Sequence, residues 1–154
     1  MPIRTSLYLA TELQKQAESR ANPDVPLGAV IRAQAERAFG ILAIETRALE
    51  NVFSEAEWQV ILDSFNGVLV DMEYIQHIGV NIVDNTNLNN AAAQKGLSVE
   101  QGKELIKRFE ALSVAAKWAV LDVAERFWAA SEKGQGIEPD AEGLKKLGVV
   151  CRSE

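Results

Sequence analysis

Residues 4–9, Arg-Thr-Ser-Leu-Tyr-Leu, place a hydrogen-bonding side chain at every second position. Successive side chains of a β-strand point to opposite faces, so Arg4, Ser6 and Tyr8 would share one face of a strand. An arginine can donate two hydrogen bonds to a guanine edge, and a serine hydroxyl can donate or accept. In a strand, this face would have the chemistry needed to contact base edges in the major groove of DNA.

A strand at this position requires a partner from outside the chain, because the rest of the sequence is rich in helix formers. A single strand cannot satisfy its own backbone hydrogen bonds, and even a two-stranded hairpin is only marginally stable in water. A second copy of the chain is the economical partner, so the strand interpretation predicts a homodimer. The alternative is one helix over residues 3–21, whose stripe would consist of Leu7, Ala10, Leu13 or Gln14, and Ala17.

Two helices are predicted after Leu9. Apolar residues recur at spacings of three and four, which indicates a helix from Ala10 or Thr11 to Ala21. Asn22-Pro23-Asp24 ends it, because the residue before a proline is disfavoured in the α conformation. A second helix is predicted from Pro26 through Leu42 and onward to Leu49, with Gly40 as a weak point.

This order of strand, helix, turn and helix resembles the ribbon-helix-helix family of DNA-binding proteins. The segment IRTSLYLATEL is similar to the opening of that family, and LGAVIRAQAERAF is similar to its second helix through the Ile31-Arg32 step. The resemblance covers residues 2 to about 42. The rest of the chain looks like a helical extension attached to such modules in some bacterial proteins.

The resemblance implies an intertwined homodimer or a higher even oligomer, in which two antiparallel strands enter the major groove of double-stranded DNA. Arg4, Ser6 and Tyr8 would contact bases. The backbone N–H groups of Leu27, Gly28 and Ala29 would bind a phosphate at the start of the second helix. The predicted fold class is mainly α, with an N-terminal ribbon-helix-helix module that contributes one strand per chain. The predicted domains are this module over residues 1–45, an α-helical domain over 46–132 and a loosely ordered tail over 133–154.

The helical part carries clear start signals. Ser54 and Glu57 form a capping box in which Phe53 and Trp58 stand where a hydrophobic staple requires them, and Ser98 begins a second box. Further helices are predicted over 54–66 with a cap at Asn66-Gly67, over 68–80, from Ser98 to about Leu112, from Ser113 to Ala130 and near 141–147. The asparagine-rich run 81–90 is predicted to be a loop. The larger aromatic side chains are predicted to form core: Phe53, Trp58, Trp118, Phe127 and Trp128.

Composition excludes several classes of protein. Hydrophobic residues make up 47% of the 154 residues and charged residues 25%, which is typical of a globular protein. No apolar run approaches the length of a membrane span, and no signal-peptide pattern opens the chain, so we expect a cytoplasmic protein without membrane partners. The single cysteine, Cys151, excludes an intrachain disulfide and is expected to be an exposed thiol.

No residue pattern indicates catalysis. His77 is the only histidine and has no neighbouring nucleophile motif, and the run after Asp84 lacks the glycine and glutamate of a calcium loop. The sequence contains no glycine-rich phosphate loop, no paired-carboxylate motif and no metal cluster. We therefore predict no catalytic residues, no cofactor and no metal, and expect that the protein is not an enzyme.

Charge is distributed unevenly along the chain. Residues 1–40 carry five basic and four acidic side chains, a net charge of +1, while the remainder carries eleven basic and eighteen acidic side chains, a net charge of −7. DNA binding is therefore expected only at the N-terminal segment. The predicted function is sequence-specific DNA binding by a transcriptional regulator, most simply a repressor, with a protein partner or a toxin bound by the helical domain. The alternative is an acidic α-helical homo-oligomeric interaction protein, or a toxin-binding antitoxin, without independent DNA reading.

Overall fold

The computed structural model describes residues 11–65 and 85–153. Within these ranges the chain forms seven α-helices: α1 Thr11–Glu18, α2 Leu27–Ala48, α3 Glu55–Ser64, α4 Asn85–Gln94, α5 Val99–Glu110, α6 Val114–Glu132 and α7 Ala141–Lys146. No helix of the described residues is long and apolar enough to cross a bilayer. The prediction of a mainly α-helical protein is confirmed.

The predicted ribbon-helix-helix fold class is wrong. The described residues contain two isolated β-bridges and no β-strand, so the structure provides no N-terminal ribbon. The physical reason is the one that made the strand costly: helices satisfy their backbone groups locally, whereas a lone strand has no ladder partner in this chain. Residues 4–9, which carry the strand-like alternation, lie outside the described residues.

The chain divides into two compact units, residues 1–40 and 41–154, and the boundary falls inside α2 at Gly40. The boundaries that we predicted from sequence, at residues 45 and 132, stay predictions. In the first unit, α1 ends at Glu18, and an asparagine turn follows at Asn22. The Asn22 side-chain oxygen Oδ1 accepts from the N–H groups of Asp24 at 2.9 Å and Val25 at 3.1 Å. Helix α1 therefore ends three residues before Ala21, the predicted last residue, although the predicted turn at Asn22-Pro23-Asp24 is present.

The second unit shows the predicted caps. Ser54 Oγ accepts from the Glu57 N–H at 3.2 Å, and the Ser54 N–H donates back to Glu57 Oε1 at 3.4 Å. Phe53 and Trp58 pack edge to face at 5.6 Å between ring centroids, so the hydrophobic staple is also present. The box at Ser98 is likewise complete, which confirms the predicted start of α5.

The core of the second unit lies among α3, α4, α5 and α6. Helix α3 packs against α4 and α6, and α4 packs against α5. Of the predicted aromatic core residues, Phe53, Trp58 and Phe127 are buried, while Trp118 and Trp128 are partly buried against the core. Trp128 also donates through Nε1 to the Leu62 carbonyl at 3.0 Å. The prediction that these aromatic residues are core is confirmed.

The asparagine-rich run differs from its prediction. Residues 85–90 were expected in a loop, but they open α4, which continues to Gln94. Leu88, Ala91 and Ala92 are buried at helical spacing, and this packing outweighs the weak helix propensity of asparagine. The predicted cap at 66–67 and the predicted helix over 68–80 lie outside the described residues.

The C-terminal segment, residues 139–153, packs on the helices of the second unit. Asp140 caps α7 by accepting from the Gly143 N–H at 2.8 Å, which confirms the short helix predicted there. The segment also buries apolar side chains in the core: Leu144, Leu147 and Val149. Two side chains hold it by hydrogen bonds to its backbone: Gln59 Nε2 donates to the Pro139 carbonyl and Arg126 Nη1 to the Leu147 carbonyl, each at 2.9 Å.

Gly143 permits this packing because it has no side chain. A Cβ atom at this position would overlap the carbonyl oxygen of Glu138 and lie 2.9 Å from its carbonyl carbon. Both are backbone atoms that cannot rotate away. By contrast, Gly40 in α2 has no atom within 4 Å of the corresponding position.

We predict that Gly143→Ala lowers the free energy of unfolding by about 1–3 kcal/mol, because it overpacks the α7 turn. Gly40→Ala is the matched control and should raise helix stability by roughly 0.5–1 kcal/mol. Chemical denaturation of both variants measures the difference. A Gly143→Ala variant as stable as the parent would contradict the close approach of Glu138.

Candidate binding surfaces

The most deeply buried charged side chain of the described residues is Glu57, whose side chain is 7% exposed. Its Oε1 accepts from the Ser54 N–H and, at 2.9 Å, from Arg152 Nη2. Its Oε2 accepts from Arg108 Nη2. One carboxylate therefore completes a helix cap and pairs with two guanidinium groups that lie 51 and 95 residues away in the chain.

The backbone fixes the two arginines in place. Arg152 forms an isolated parallel bridge with Ser54, and its N–H donates to the Phe53 carbonyl at 2.8 Å. Arg108 lies on α5, whose neighbouring residue Phe109 is buried in the core. Because a buried carboxylate is stable only when paired, Glu57 links the start of α3, helix α5 and the C-terminal segment.

An open cleft of about 440 Å³ lies beside this ion-pair cluster. We call it the arginine cleft. Its wall combines charged, polar and apolar groups: Ser54, Ala56, Glu57, Leu97, Glu100, Gln101, Glu104, Arg108 and Arg152. The cleft is large enough for a small organic molecule.

Glu57→Gln tests the ion-pair cluster. Removing the carboxylate leaves two arginines without their shared partner, which should lower the free energy of unfolding by about 2–4 kcal/mol, since the arginines are only partly buried. Glu100→Gln is the control, because Glu100 is 85% exposed and pairs with Lys103 at 3.8 Å. Its effect should stay below about 1 kcal/mol. Equal effects of the two substitutions in urea unfolding would contradict the structural role of Glu57.

A second, more apolar groove lies in the first unit, between α1 and α2. Its volume is about 370 Å³, and we call it the N-terminal groove. Both apolar and polar side chains line it: Leu13, Gln16, Ala17, Arg20, Val30, Ile31 and Gln34. Leu13 is 61% exposed, and α1 buries none of its residues. Within residues 11–40, Val30 alone is buried.

The predicted DNA-binding residues fall in two groups. Arg4, Ser6 and Tyr8 lie outside the described residues. Leu27, Gly28 and Ala29 form the first turn of α2, as expected, with Leu27 half-buried and the other two exposed. The Ala29 N–H donates to the Pro26 carbonyl at 3.0 Å, so one of the three proposed phosphate donors is already used within the helix.

The exposed thiol predicted at Cys151 is instead half-buried in the second unit. Burial, together with the negative charge of Glu55, raises the pKa of the Cys151 thiol above its ordinary value. A raised pKa leaves less of the thiolate, the nucleophilic form, at neutral pH. His77 and Asp84 lie outside the described residues, and no cluster of metal-ligating side chains occurs among those that are described.

The charged form of the Glu125 side chain on α6 is destabilised by its surroundings. Burial and then the negative charge of Asp122 raise the pKa of Glu125 above 4.5. Above its folded-state pKa the charged form therefore costs stability, whereas below 4.5 the side chain is protonated in both folded and unfolded chains.

Glu125→Gln should accordingly raise the thermal midpoint at neutral pH, and this gain should disappear as the pH falls below 4.5. Glu50→Gln, at an exposed position, is the control and should show no such pH-dependent gain. Thermal melts of the three proteins across this pH range make the comparison. A gain for Glu125→Gln that stays constant with pH would exclude the titration of Glu125 as its cause.

Sequence reasoning identified Glu57 as a capping residue but missed its two arginine partners. The spacing of a capping box is local, whereas Arg108 and Arg152 reach Glu57 only through the tertiary fold.

Comparison with known proteins gives no relative: no protein-family model, no curated protein and no solved structure matches the chain. The resemblance of residues 2–42 to ribbon-helix-helix proteins is therefore untested by these comparisons. The arginine cleft and the N-terminal groove are the candidate binding surfaces of the described residues.

Proposed function

We propose that this chain is a homo-oligomeric protein-interaction module that self-associates through its first unit. The observation that carries the proposal is the near absence of burial there: Val30 is the only buried residue of 11–40. An eight-residue helix such as α1 is marginal in water unless tertiary contacts stabilise it. A unit of about 40 residues with so small a core usually requires a partner.

The exposed apolar side chains of this unit are consistent with a protein partner. Leu13 at the edge of the N-terminal groove and Phe39 on α2 are 61% and 67% exposed. Burying a side chain of this size stabilises an interface by roughly 1.5–3 kcal/mol. Their exposure in a single copy is therefore a cost that association would remove.

The charge of the first unit permits a second copy of the chain as the partner. Residues 1–40 carry a net charge of only +1, so two of these units can approach without strong repulsion. Symmetric pairs of identical chains are also the commonest oligomers, because one surface patch then serves both subunits.

Leu13→Asp should convert the oligomer to a monomer, because it places a charge in the apolar interface. We expect the dissociation constant to rise at least tenfold. Gln14→Asp adds the same charge at the neighbouring position outside the groove and should leave association unchanged. Sedimentation velocity over a range of concentrations measures both. A parent protein that sediments as a monomer at every concentration would overturn the proposal.

DNA binding by Arg4, Ser6 and Tyr8 stays a prediction. It can be separated from self-association by selecting duplexes from a random pool with the full chain and then testing Arg4→Ala. If the full chain binds a selected duplex and the Arg4→Ala variant does not, the protein binds DNA sequence-specifically as well as self-associating. Retention of no duplex at low salt, where electrostatic binding is strongest, would leave the interaction module as the function.

A further inference from the structure

The arginine cleft has unused hydrogen-bonding capacity. A guanidinium group has five N–H donors. Among the described residues, Arg108 and Arg152 each use only Nη2 in a side-chain hydrogen bond, and both bonds go to Glu57. Arg108 Nε is buried and has no hydrogen-bond partner among the described residues. The side chains of Arg108 and Arg152 are 26% and 40% exposed, so N–H groups other than the buried Arg108 Nε remain available to the cleft that they line.

The charges of the cleft are ordered from inside to outside. At the inner end, two arginines share one carboxylate, so the group of Arg108, Arg152 and Glu57 carries a net charge of +1. Glu100 and Glu104 are exposed and form the outer wall, where Glu100 pairs with Lys103 at 3.8 Å and Glu104 supplies the remaining negative charge. Charges at the less exposed inner end act in a lower effective dielectric, whereas those of the outer wall are screened by water and salt.

The remaining lining suits a small, flexible ligand. Ala56 and Leu97 provide apolar contact. Gln101 Oε1 accepts from the Ser98 N–H at 2.8 Å, which fixes the amide and leaves its NH₂ group as a further donor. A few polar groups in a partly apolar concavity are the usual arrangement for binding small molecules.

From this charge order we infer that the arginine cleft binds a small zwitterion, with its carboxylate on Arg108 and Arg152 and its amino group toward Glu104. A dianion would place its second carboxylate against Glu104, and a simple cation would be repelled by the net positive charge of Arg108, Arg152 and Glu57. Planar guanidinium groups suit a carboxylate because they can donate two parallel hydrogen bonds. This inference is independent of the self-association proposed above.

Four probes of equal chain length test the inference: 5-aminopentanoate, pentanoate, glutarate and pentylamine. Titrations at low salt are followed by the backbone NMR resonances of residues around the cleft, such as Leu97 and Gln101. We expect 5-aminopentanoate to bind in the millimolar range and at least several-fold more tightly than the other three. No binding of any probe, or equal binding of pentanoate and 5-aminopentanoate, would overturn the inference.

Two variants locate the site. Arg152→Lys keeps the positive charge near Glu57 but removes the planar fork, and should weaken 5-aminopentanoate binding at least several-fold. Arg47→Lys, at an exposed position that does not line the cleft, is its matched control. Glu104→Gln lies on the exposed wall, so it should fold normally and abolish the preference for 5-aminopentanoate over pentanoate. Unchanged binding and preference in folded Glu104→Gln protein would overturn the assignment, even if Arg152→Lys failed to fold.

Discussion

The second unit depends on one buried carboxylate. Glu57 completes the cap of α3 and pairs with Arg108 on α5 and Arg152 near the C-terminus. Leaving such a group unpaired would cost several kcal/mol, so α3, α5 and the C-terminal segment are held in one arrangement. Phe53, Trp58 and Val149, which are close in sequence to these groups, are all buried in the core of this unit. The same constraint leaves two arginines with spare donors at the arginine cleft, so the interaction that fixes the fold also creates the surface that we assign to a ligand.

The first unit has the opposite character. It contains helices with clear ends but almost no core, since Val30 is its only buried residue within 11–40. Helix propensity and a single asparagine turn cannot offset the conformational entropy lost on ordering these residues. In the function that we propose, a second copy of the chain would cover Leu13 and the N-terminal groove and so supply further burial. The acidic second unit, by contrast, has an extensive core of its own among the described residues.

Local signals in the sequence were sufficient for most helix ends. The capping boxes at Ser54 and Ser98 and the turn at Asn22 are formed by side chains within three residues of the backbone groups that they satisfy, so spacing alone predicts them. The helix over Asn85–Gln94 was missed because it is stabilised by distant contacts of Leu88 and not by local preference. The prediction of an N-terminal ribbon was wrong as a fold class. The alternation of residues 4–9 is too short to distinguish the two-residue period of a strand from the 3.6-residue period of a helix. The Glu57 pairs could not be predicted, because no local pattern relates positions 57, 108 and 152.

Amide hydrogen exchange as a function of protein concentration tests the central claim, that the first unit is stable only in the assembled protein. Amides of α3 and α6 should exchange at the same slow rate at all concentrations. Those at the end of α1, such as Glu18 and the adjacent Ser19, should become protected only at concentrations where sedimentation shows the oligomer. Equal protection of α1 in a sedimenting monomer would contradict the account.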